Sequence, residues 1–426
     1  MEAENFHRLT KLLADSGESP TLEAAAATFA SYGVRVVLDA RVADSILDQV
    51  IALTVINTAA RSFLGNVEVV APVGLQLTAP GFEEQTLTEF LDWAGVKKEL
   101  PAASANWPTI EVGEPVQTRA GGIRAWADGW TYGIGAHDGG QAPFFAPACV
   151  AAAGLAVSEA FSVLRRDNPY AGRRSLSLSL WKPELTGDVA EAQGPDDALL
   201  PSVWLVGLGH LGQAYAWTMG FMTPTAGAEV FLQDIDVVTR STLSTSVLSN
   251  EADLGRQKTQ VAATWLEARD FTTYLVERRF DGAQRVASSE PQRALFGVDN
   301  AAARRVLESA GFAHVVDAGL GSGFKDFRAM RIRTFPGPSS AGALWASQPA
   351  STGEERAEAY RHLLASGADP CGVTTLATRS VGAPFVGCVA AGHAIAALLR
   401  HTAGESPYPV IDLNLRDLHR ADVVTP

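Results

Sequence analysis

The chain has little cysteine, no excess of basic residues and no long apolar run, and each absence excludes a class of protein. Its three cysteines are too few and too widely spaced for a disulfide framework or a four-cysteine zinc site. With 34 basic and 47 acidic residues the net charge is −13, which argues against nucleic acid or an anionic membrane as a partner. No run reaches about 18 uninterrupted apolar residues, and the segment after Met1 lacks a signal-peptide profile. We therefore expect a cytoplasmic protein without a membrane span.

What the 426 residues do contain is a pattern of strands alternating with helices, and 47% of them are apolar. Two short β-branched runs, 34–38 and 67–70, flank an apolar-periodic stretch at 43–63. This arrangement predicts a parallel strand pair joined by a right-handed helical crossover. Residues 75–145, rich in proline, glycine and tryptophan, are expected to be irregular. After residue 200 the alternation sharpens and predicts a doubly wound α/β sheet.

A change of composition marks a boundary between two domains. Residues 183–199 are acidic, contain proline and glycine and lack apolar periodicity, so we interpret them as a linker between domains at 1–182 and 200–426. The stretch around Cys149 (APACVAAAGLAVSEA) is similar to that around Cys388 (APFVGCVAAGHAIAA). Either both halves descend from one domain, or two alanine-rich helices are alike by chance. In both cases we expect the two cysteines to be buried.

A glycine-rich turn follows the predicted strand at 203–206 and opens a helix. Gly207, Gly209 and Gly212 allow a tight turn, close approach of the backbone to a phosphate, and close packing of helix on sheet. The helix N-terminus offers free N–H groups and the positive end of a dipole. Asp234 lies 22 residues after Gly212 at the end of the next strand, where a carboxylate can bind ribose hydroxyls. This pattern indicates a nucleotide and leaves ATP and NAD open.

The segments that follow the second strand resemble the E1-like adenylyltransferases, which include the ThiF-type enzymes and the ubiquitin-activating enzymes. Four stretches within residues 200–400 carry the resemblance: DIDVVTRSTLSTS from Asp234, ADLGRQK from Ala252, DNAAAR from Asp299 and GAPFVG from Gly382. The resemblance implies a doubly wound, Rossmann-like E1/ThiF adenylation fold for the C-terminal half. Because the N-terminal half has no glycine-rich loop, it is similar to the degenerate, inactive half of two-domain activating enzymes.

The same resemblance implies an activity and a set of nucleotide-binding residues. The activity is ATP- and Mg²⁺-dependent adenylation of the C-terminal carboxylate of a ubiquitin-like protein, a sulfur-carrier protein or a peptide. Asp299 would hold Mg²⁺ and Lys258 would face the phosphates, while Asp234, Asp236 and Asn300 would complete the nucleotide site. Without the resemblance, both residues could have purely structural roles. Asp299 also suits the N-cap of the following helix, and Lys258 also suits a solvent-exposed helix face.

One cysteine also has a counterpart in the family. Cys371, in a polar loop ahead of the GAPFVG turn, resembles the cysteine that receives the activated carrier as a thioester or persulfide in many members. Its spacing to the turn is longer than in those enzymes. An inert loop cysteine is the alternative.

Three positions depart from the family pattern. Thr242, Thr245 and Ser246 stand where the family has Asn, Arg and Gln. Losing a cation beside a triphosphate weakens binding unless another cation replaces it. The candidate replacements are Arg240, Arg256, Arg304, Arg173 and Arg174.

Two other functions remain open at this point: a nucleotide-binding scaffold that has lost catalysis, and an NAD(P)-dependent oxidoreductase. The oxidoreductase leaves Lys258 and the Asp299–Asn300 pair without a role. A homodimer is usual in short family members, whereas a fused inactive half could make a monomer sufficient.

Overall fold

The structure is a computed structural model, and it describes residues 7–114, 122–137, 140, 142–185, 192–321, 323–346, 358–365, 381–418 and 421–426. These residues form two β-sheets, one in each half of the sequence, with long helices packed between them. The larger of the two apolar core clusters in the described residues contains residues of both halves, and the smaller one lies in the C-terminal half. The α/β class expected from the sequence is confirmed.

The N-terminal sheet has strand order β2-β1-β3-β4-β5-β6. Its strands are β1 (Val34–Leu38), β2 (Val67–Val70), β3 (Thr109–Val112), β4 (Gly122–Asp128), β5 (Thr131–Ile134) and β6 (Leu176–Ser179). The expected parallel pair is present, with Val34 opposite Val67, whereas β5 and β6 run antiparallel to their neighbours. The expectation of irregular structure at 75–145 is wrong, because this stretch contains β3, β4 and β5. These strands are short and β4 and β5 are buried on both faces, so they lack the alternation that marks a half-buried strand.

The helices of this half are α1 (Lys11–Asp15), α2 (Leu22–Ala30), α3 (Ile46–Ser62), α4 (Leu87–Ala94) and α5 (Ala146–Arg165). The crossover helix α3 begins at the cap Ser45, whose side chain accepts a hydrogen bond from the backbone N–H of Asp48 at 3.1 Å. Nearly all of α3 is buried, including polar residues, because it lies against both α5 and the C-terminal half.

The C-terminal sheet has strand order β14-β13-β12-β11-β10-β7-β8-β9. Its strands are β7 (Val203–Val206), β8 (Glu229–Gln233), β9 (Thr272–Val276), β10 (Arg293–Phe296), β11 (His314–Leu320), β12 (Ala329–Phe335), β13 (Val410–Asn414) and β14 (Asp422–Val424). Strands β7 to β11 are parallel, and the chain runs outward from β7 through β8 to β9 before returning to β10 on the other side of β7. This is the predicted doubly wound arrangement, with its switch point between β7 and β10.

The helices of the C-terminal half are α6 (His210–Met219), α7 (Arg240–Leu243), α8 (Lys258–Glu267), α9 (Ala301–Arg305), α10 (Gly323–Asp326), α11 (Ala341–Leu344), α12 (Glu358–Ala365) and α13 (Pro384–Thr402). The start of α12 lies near α1, where the Tyr360 hydroxyl donates a hydrogen bond to buried Asp15 at 2.5 Å. Asp15 also forms an ion pair with Lys11, so a buried polar cluster joins α12 to the N-terminal half.

The two longest helices, α5 and α13, occupy equivalent places in the two halves and pack on each other. Each follows an antiparallel strand and precedes another one. A Cβ on Gly154 would lie 2.5 Å from the carbonyl oxygen of Phe385, and a Cβ on Gly392 would lie 2.8 Å from that of Pro147. In each helix the ninth residue therefore meets the second residue of the other. The packing of the two helices is therefore symmetric at these positions.

Both helices are long and apolar enough to cross a membrane, but 89% of each such span is buried inside the fold. They are core helices by this criterion. Cys149 and Cys388, which they carry, are fully buried as expected, and burial raises the pKa of the Cys388 thiol to about 12.

A second contact between the halves is aromatic. The indole of Trp93 in α4 lies parallel to that of Trp217 in α6, with ring centres 6.1 Å apart. Trp217 in turn stacks on Trp265 of α8 at 4.7 Å. The guanidinium of Arg269 lies 3.3 Å from the centre of the Trp265 ring and donates hydrogen bonds to the carbonyls of Pro80 and Gly81. The two halves are thus held together by side-chain contacts as well as by the covalent connection of the polypeptide.

The described end of the segment interpreted as a linker is packed on the N-terminal sheet. The side-chain oxygen of Gln193 accepts a hydrogen bond from the backbone N–H of Trp130 at 2.8 Å, and its amide group donates to the carbonyl of Asp128 at 3.0 Å. Ala192 beside it is fully buried.

Replacing Gly154 by alanine is expected to lower the free energy of unfolding by about 1–3 kcal/mol, because the added methyl must displace the backbone of α13. Gly282→Ala is the matched control, since a Cβ there would meet only Val306, at 3.6 Å. Chemical denaturation measures both effects. A Gly154→Ala protein as stable as the control would show that the two helices are not held at this separation.

Candidate active site

A cavity of about 410 Å³ lies at the carboxyl ends of β7, β8 and β10. Its size is within the range of small-molecule sites, and its position is the switch point of the sheet, where open α/β sheets bind ligands. Its lining includes eight of the residues singled out in the sequence: Gly207, Gly209, Asp234, Asp236, Lys258, Asp299, Asn300 and Arg304.

The three glycines of the turn have three different roles. Gly207 has a φ of +84°, and a Cβ there would lie 2.9 Å from Val298. A Cβ on Gly212 would lie 2.0 Å from the carbonyl oxygen of Gly207, so this glycine permits close packing and does not line the cavity. Gly209 is the N-cap of α6, and no atom lies within 4 Å of its Cβ position, which leaves open space at the helix N-terminus.

Asp234 organises the turn and the loop after β8. Its Oδ2 accepts a hydrogen bond from the backbone N–H of Leu208 at 2.6 Å, and its Oδ1 accepts one from that of Asp236 at 2.8 Å. Lys258, the first residue of α8, donates from Nζ to Oδ2 of Asp236 at 2.8 Å. The lysine side chain is only 12% exposed, so it is not a solvated helix lysine, and its ammonium group is held at the cavity wall.

The structure separates the two roles considered for Asp299. Asn300 caps α9, because its Oδ1 accepts hydrogen bonds from the backbone N–H groups of Ala302 and Ala303 at 2.8 and 3.4 Å. Asp299 is not the cap. Its exposed carboxylate lines the cavity, and no residue in the described part of the chain forms a hydrogen bond or ion pair with it. A carboxylate without a protein partner suits a hard cation such as Mg²⁺.

Arg304 reaches the cavity, but its guanidinium is bound elsewhere. Its Nε donates to Oδ1 of Asp317 at 2.9 Å and its Nη2 to the carbonyl of Ala318 at 2.8 Å. Burial raises the pKa of Asp317, although Arg304 beside it favours the ionised form. The guanidinium carbon of Arg304 lies 5.8 Å from the centre of the Trp345 ring. Arg304 therefore joins α9 to β11 as well as lining the site.

The other proposed replacement cations do not line this cavity. Arg240 pairs with Glu251, Arg256 pairs with Asp253 and Arg174 pairs with Glu159. Arg173 is exposed and also outside the lining.

Three arginines that sequence reasoning missed do line the cavity: Arg8, Arg278 and Arg279. Arg8 precedes α1 and lies beside Gly382, whose Cβ position is 3.6 Å from the Arg8 Cδ. Nothing in the sequence around Arg8 indicates this placement, because it depends on how the halves pack. Arg278 and Arg279 follow β9, and their position after a strand was a usable signal. Among the described lining residues, five side chains are cationic and three are carboxylates, so the cavity suits an anion.

His210, the first residue of α6, was also missed. Burial and the nearby charge of Arg8 lower its pKa to about 3, so it is neutral at physiological pH. A Cβ on Gly387 would lie 2.6 Å from its Nε2, and a Cβ on Gly382 would lie 2.8 Å from the Thr245 methyl. The two glycines of the GAPFVG segment thus make room for residues of the site. Thr242, Thr245 and Ser246 all line the cavity, whereas Cys371 lies outside the described residues.

The fold and the cavity define a two-halved α/β protein with a cavity at the switch point of its C-terminal sheet, lined by more cationic side chains than carboxylates. Comparison with known families narrows this class. The family model for the BilD N-terminal domain matches residues 33–180, and that for the BilD C-terminal domain matches residues 199–405. The bacterial E1-like protein BilD of Collimonas sp. (strain OK412) is 39% identical over 95% of this chain and 90% of its own length. The chain belongs to the BilD family of bacterial E1-like proteins.

Solved structures are more distant. A crystal structure of E. coli MccB with AMPCPP and MccA is 14% identical, with a TM-score of 0.38 over 71% of this chain and 94% of the other. TcdA (CsdL) is 13% identical, with a TM-score of 0.32 over 48% of this chain and 86% of the other. The family assignment rests on the sequence match and not on these likenesses.

Gly212→Ala and Gly209→Ala are expected to differ in their cost to the ligand-free protein. The first should lower the free energy of unfolding by about 1–3 kcal/mol, since its methyl would overlap the Gly207 carbonyl. The second should cost less than about 1 kcal/mol, the price of a poorer N-cap. Urea denaturation measures both, and equal costs would contradict the assignment of Gly209 to open space.

Proposed function

We propose that this protein is an ATP-dependent adenylyltransferase acting on the C-terminal carboxylate of a small protein or peptide. The observation that carries the proposal is the cavity, which combines a glycine turn, a free helix N-terminus and a surplus of cationic side chains in a chain of the E1-like class. Both reactants, ATP and the substrate carboxylate, are negatively charged. The surplus of cationic side chains reduces the repulsion between them when both are bound.

The chain's own residues supply the binding of the nucleotide. The phosphates would lie over Gly209 at the N-terminus of α6, where unpaired N–H groups and the helix dipole favour negative charge. The ribose would lie near Asp234, whose carboxylate is already oriented by two backbone N–H groups. Buried Phe280 and half-buried Val298 line the same cavity and offer apolar contact to a base.

Asp299 is the residue that would hold Mg²⁺, since its carboxylate is exposed to the cavity and has no protein partner in the described ranges. When bound, the ion would neutralise phosphate charge and favour departure of pyrophosphate. Lys258 would add a fixed positive charge on the same side, held in place by Asp236.

The proposed reaction joins a substrate carboxylate to the nucleotide. A carboxylate oxygen attacks the α-phosphorus, the bond between the α-phosphorus and its bridging oxygen to the β-phosphate breaks, and pyrophosphate leaves with that oxygen. The products are an acyl adenylate and pyrophosphate. Transfer of the acyl group to the Cys371 thiolate, releasing AMP, is a second step that we propose from the family resemblance alone.

The family arginine that normally contacts the triphosphate is absent here, but its absence does not by itself favour a nucleotide-binding scaffold without catalysis. Thr245 stands in its place, but Arg8 from the N-terminal segment lies beside it across Gly382. Positive charge therefore remains next to the phosphate end of the cavity. This observation favours retained chemistry over a decayed site.

Mg·ATP is expected to stabilise the protein against heat, whereas NADH is not. At about 100 times its dissociation constant a ligand adds about 2.7 kcal/mol to the stability of the folded state. Asp299→Asn should remove most of the Mg²⁺ dependence of ATP binding measured by calorimetry, and Asp44→Asn, an exposed aspartate of the N-terminal half, serves as the control. Stabilisation by NADH alone would overturn the proposal in favour of an oxidoreductase.

Arg8→Ala is expected to weaken ATP binding by about ten- to a hundredfold, because a charge-assisted hydrogen bond to phosphate contributes about 1.5–3 kcal/mol. Arg41→Ala, which removes an exposed arginine paired with Asp48 and Glu114, should leave ATP affinity unchanged. Equal affinities in wild type and Arg8→Ala would exclude a phosphate contact by Arg8.

The substrate class is tested by ATP–pyrophosphate exchange with two synthetic peptide libraries, one ending in free carboxylates and the other in amides. Exchange with the free carboxylates only is the expected result. Cys371→Ala should retain exchange but lose any thiol-sensitive adduct. Exchange that is equal for both libraries would show that the C-terminal carboxylate is not the acceptor.

A further inference from the structure

Arg61, near the end of α3 in the N-terminal half, binds a loop of the C-terminal half. Its Nη1 donates hydrogen bonds to the carbonyl oxygens of Leu243 at 3.0 Å and Ser249 at 2.7 Å. Its Nη2 donates to the carbonyl of Val247 at 3.3 Å. Its Nε donates to Oδ1 of Asn57 at 2.8 Å, one turn earlier in α3. One guanidinium thus holds three carbonyls within seven residues of the chain.

This arginine is unusual because it is buried among neutral acceptors. Arg61 is only 8% exposed, and no carboxylate among the described residues forms an ion pair with it. Burial lowers the pKa of Arg61 to about 10, so it remains charged at neutral pH. A buried charge is costly unless it is fully hydrogen-bonded, and here backbone carbonyls supply the bonds. The loop and the guanidinium therefore stabilise each other.

Further hydrogen bonds hold the loop, from α6 of the C-terminal half and from α3 itself. Gln213 of α6 accepts hydrogen bonds at its Oε1 from the backbone N–H groups of Leu248 and Ser249, at 3.0 and 3.1 Å. Asn57 donates from Nδ2 to the carbonyl of Val247 at 2.9 Å. Residues 243–249 are thus clamped between one helix of each half, which leaves little freedom for their backbone.

The same stretch of chain forms one wall of the nucleotide cavity. Thr242, Thr245 and Ser246 line the cavity, whereas Leu243, Val247 and Ser249 present their carbonyls to Arg61. Thr245 lies against Gly382, which also neighbours the first residue of α6. This wall is therefore at the helix N-terminus, the end of the cavity that suits phosphates.

We propose that Arg61 is a positioning residue, which from the inactive half fixes residues 243–249 and so shapes the phosphate end of the nucleotide site in the other half. The inference rests on the proposed function and adds to it a role for the N-terminal half. The geometry requires a planar fork, because a single ammonium group cannot reach three carbonyls and an amide oxygen together.

Arg61→Lys tests the proposal, since it retains the charge and removes the fork. Calorimetric binding of ATP should weaken about tenfold, whereas binding of AMP, which lacks the β- and γ-phosphates, should change less than about twofold. Hydrogen exchange of the ligand-free protein should show faster exchange at residues 245–249. Arg35→Lys, at an arginine of the same half that pairs with Glu68, is the control and should change neither measurement.

Asn57→Ala is a milder second variant, because it removes one carbonyl bond and one acceptor of Arg61 but leaves the guanidinium in place. It should lower ATP affinity by a smaller factor in the same direction. Equal loss of ATP and AMP affinity in Arg61→Lys would indicate a general structural role and overturn the inference. Unchanged ATP affinity would overturn it while leaving the proposed function intact. Failure of the wild type to bind ATP would overturn both.

Discussion

The close approach of α5 and α13 is the constraint on which the rest of the molecule depends. The backbones of two helices can approach this closely only where a side chain is missing, and Gly154 and Gly392 provide that gap at equivalent positions. The contact brings the two sheets to a common core, and it fixes where the N-terminal half stands relative to the carboxyl ends of β7, β8 and β10. The contributions of one half to the site of the other depend on this packing together with the side-chain contacts between the halves.

The two halves contribute unequally to the residues that line or support the cavity. The C-terminal half carries the glycine turn and the carboxylates, which are local features of one strand–turn–helix unit and its neighbours. The N-terminal half has no such turn after β1, where Asp39 and a short 3₁₀ helix follow, but Arg8 lines the cavity and Arg61 binds the loop that forms its wall. The N-terminal half thus supplies side chains to a cavity whose glycine turn and carboxylates belong to the other half.

The sequence was sufficient for features encoded over a few residues. The turn from Gly207 to Gly212 and the residue Asp234 could be predicted because their roles follow from backbone geometry next to a strand. The identity of the cap of α9 could not, because Asp299 and Asn300 both suit it and only the backbone path decides. Arg8 could not be found at all, since its neighbours in the site are about 200 to 370 residues away in the chain.

The stacked indoles of Trp93, Trp217 and Trp265 have an optical consequence. They lie nearly parallel, at 11° and 19°, and the stack crosses from α4 of one half to α6 and α8 of the other. Neighbouring indoles at these separations couple their electronic transitions, and because the rings are skewed by 11° and 19° this coupling contributes to the circular dichroism of the protein. The share of that signal contributed by Trp93 exists only while the halves are docked. The protein thus contains an intrinsic, label-free reporter of the contact between its halves.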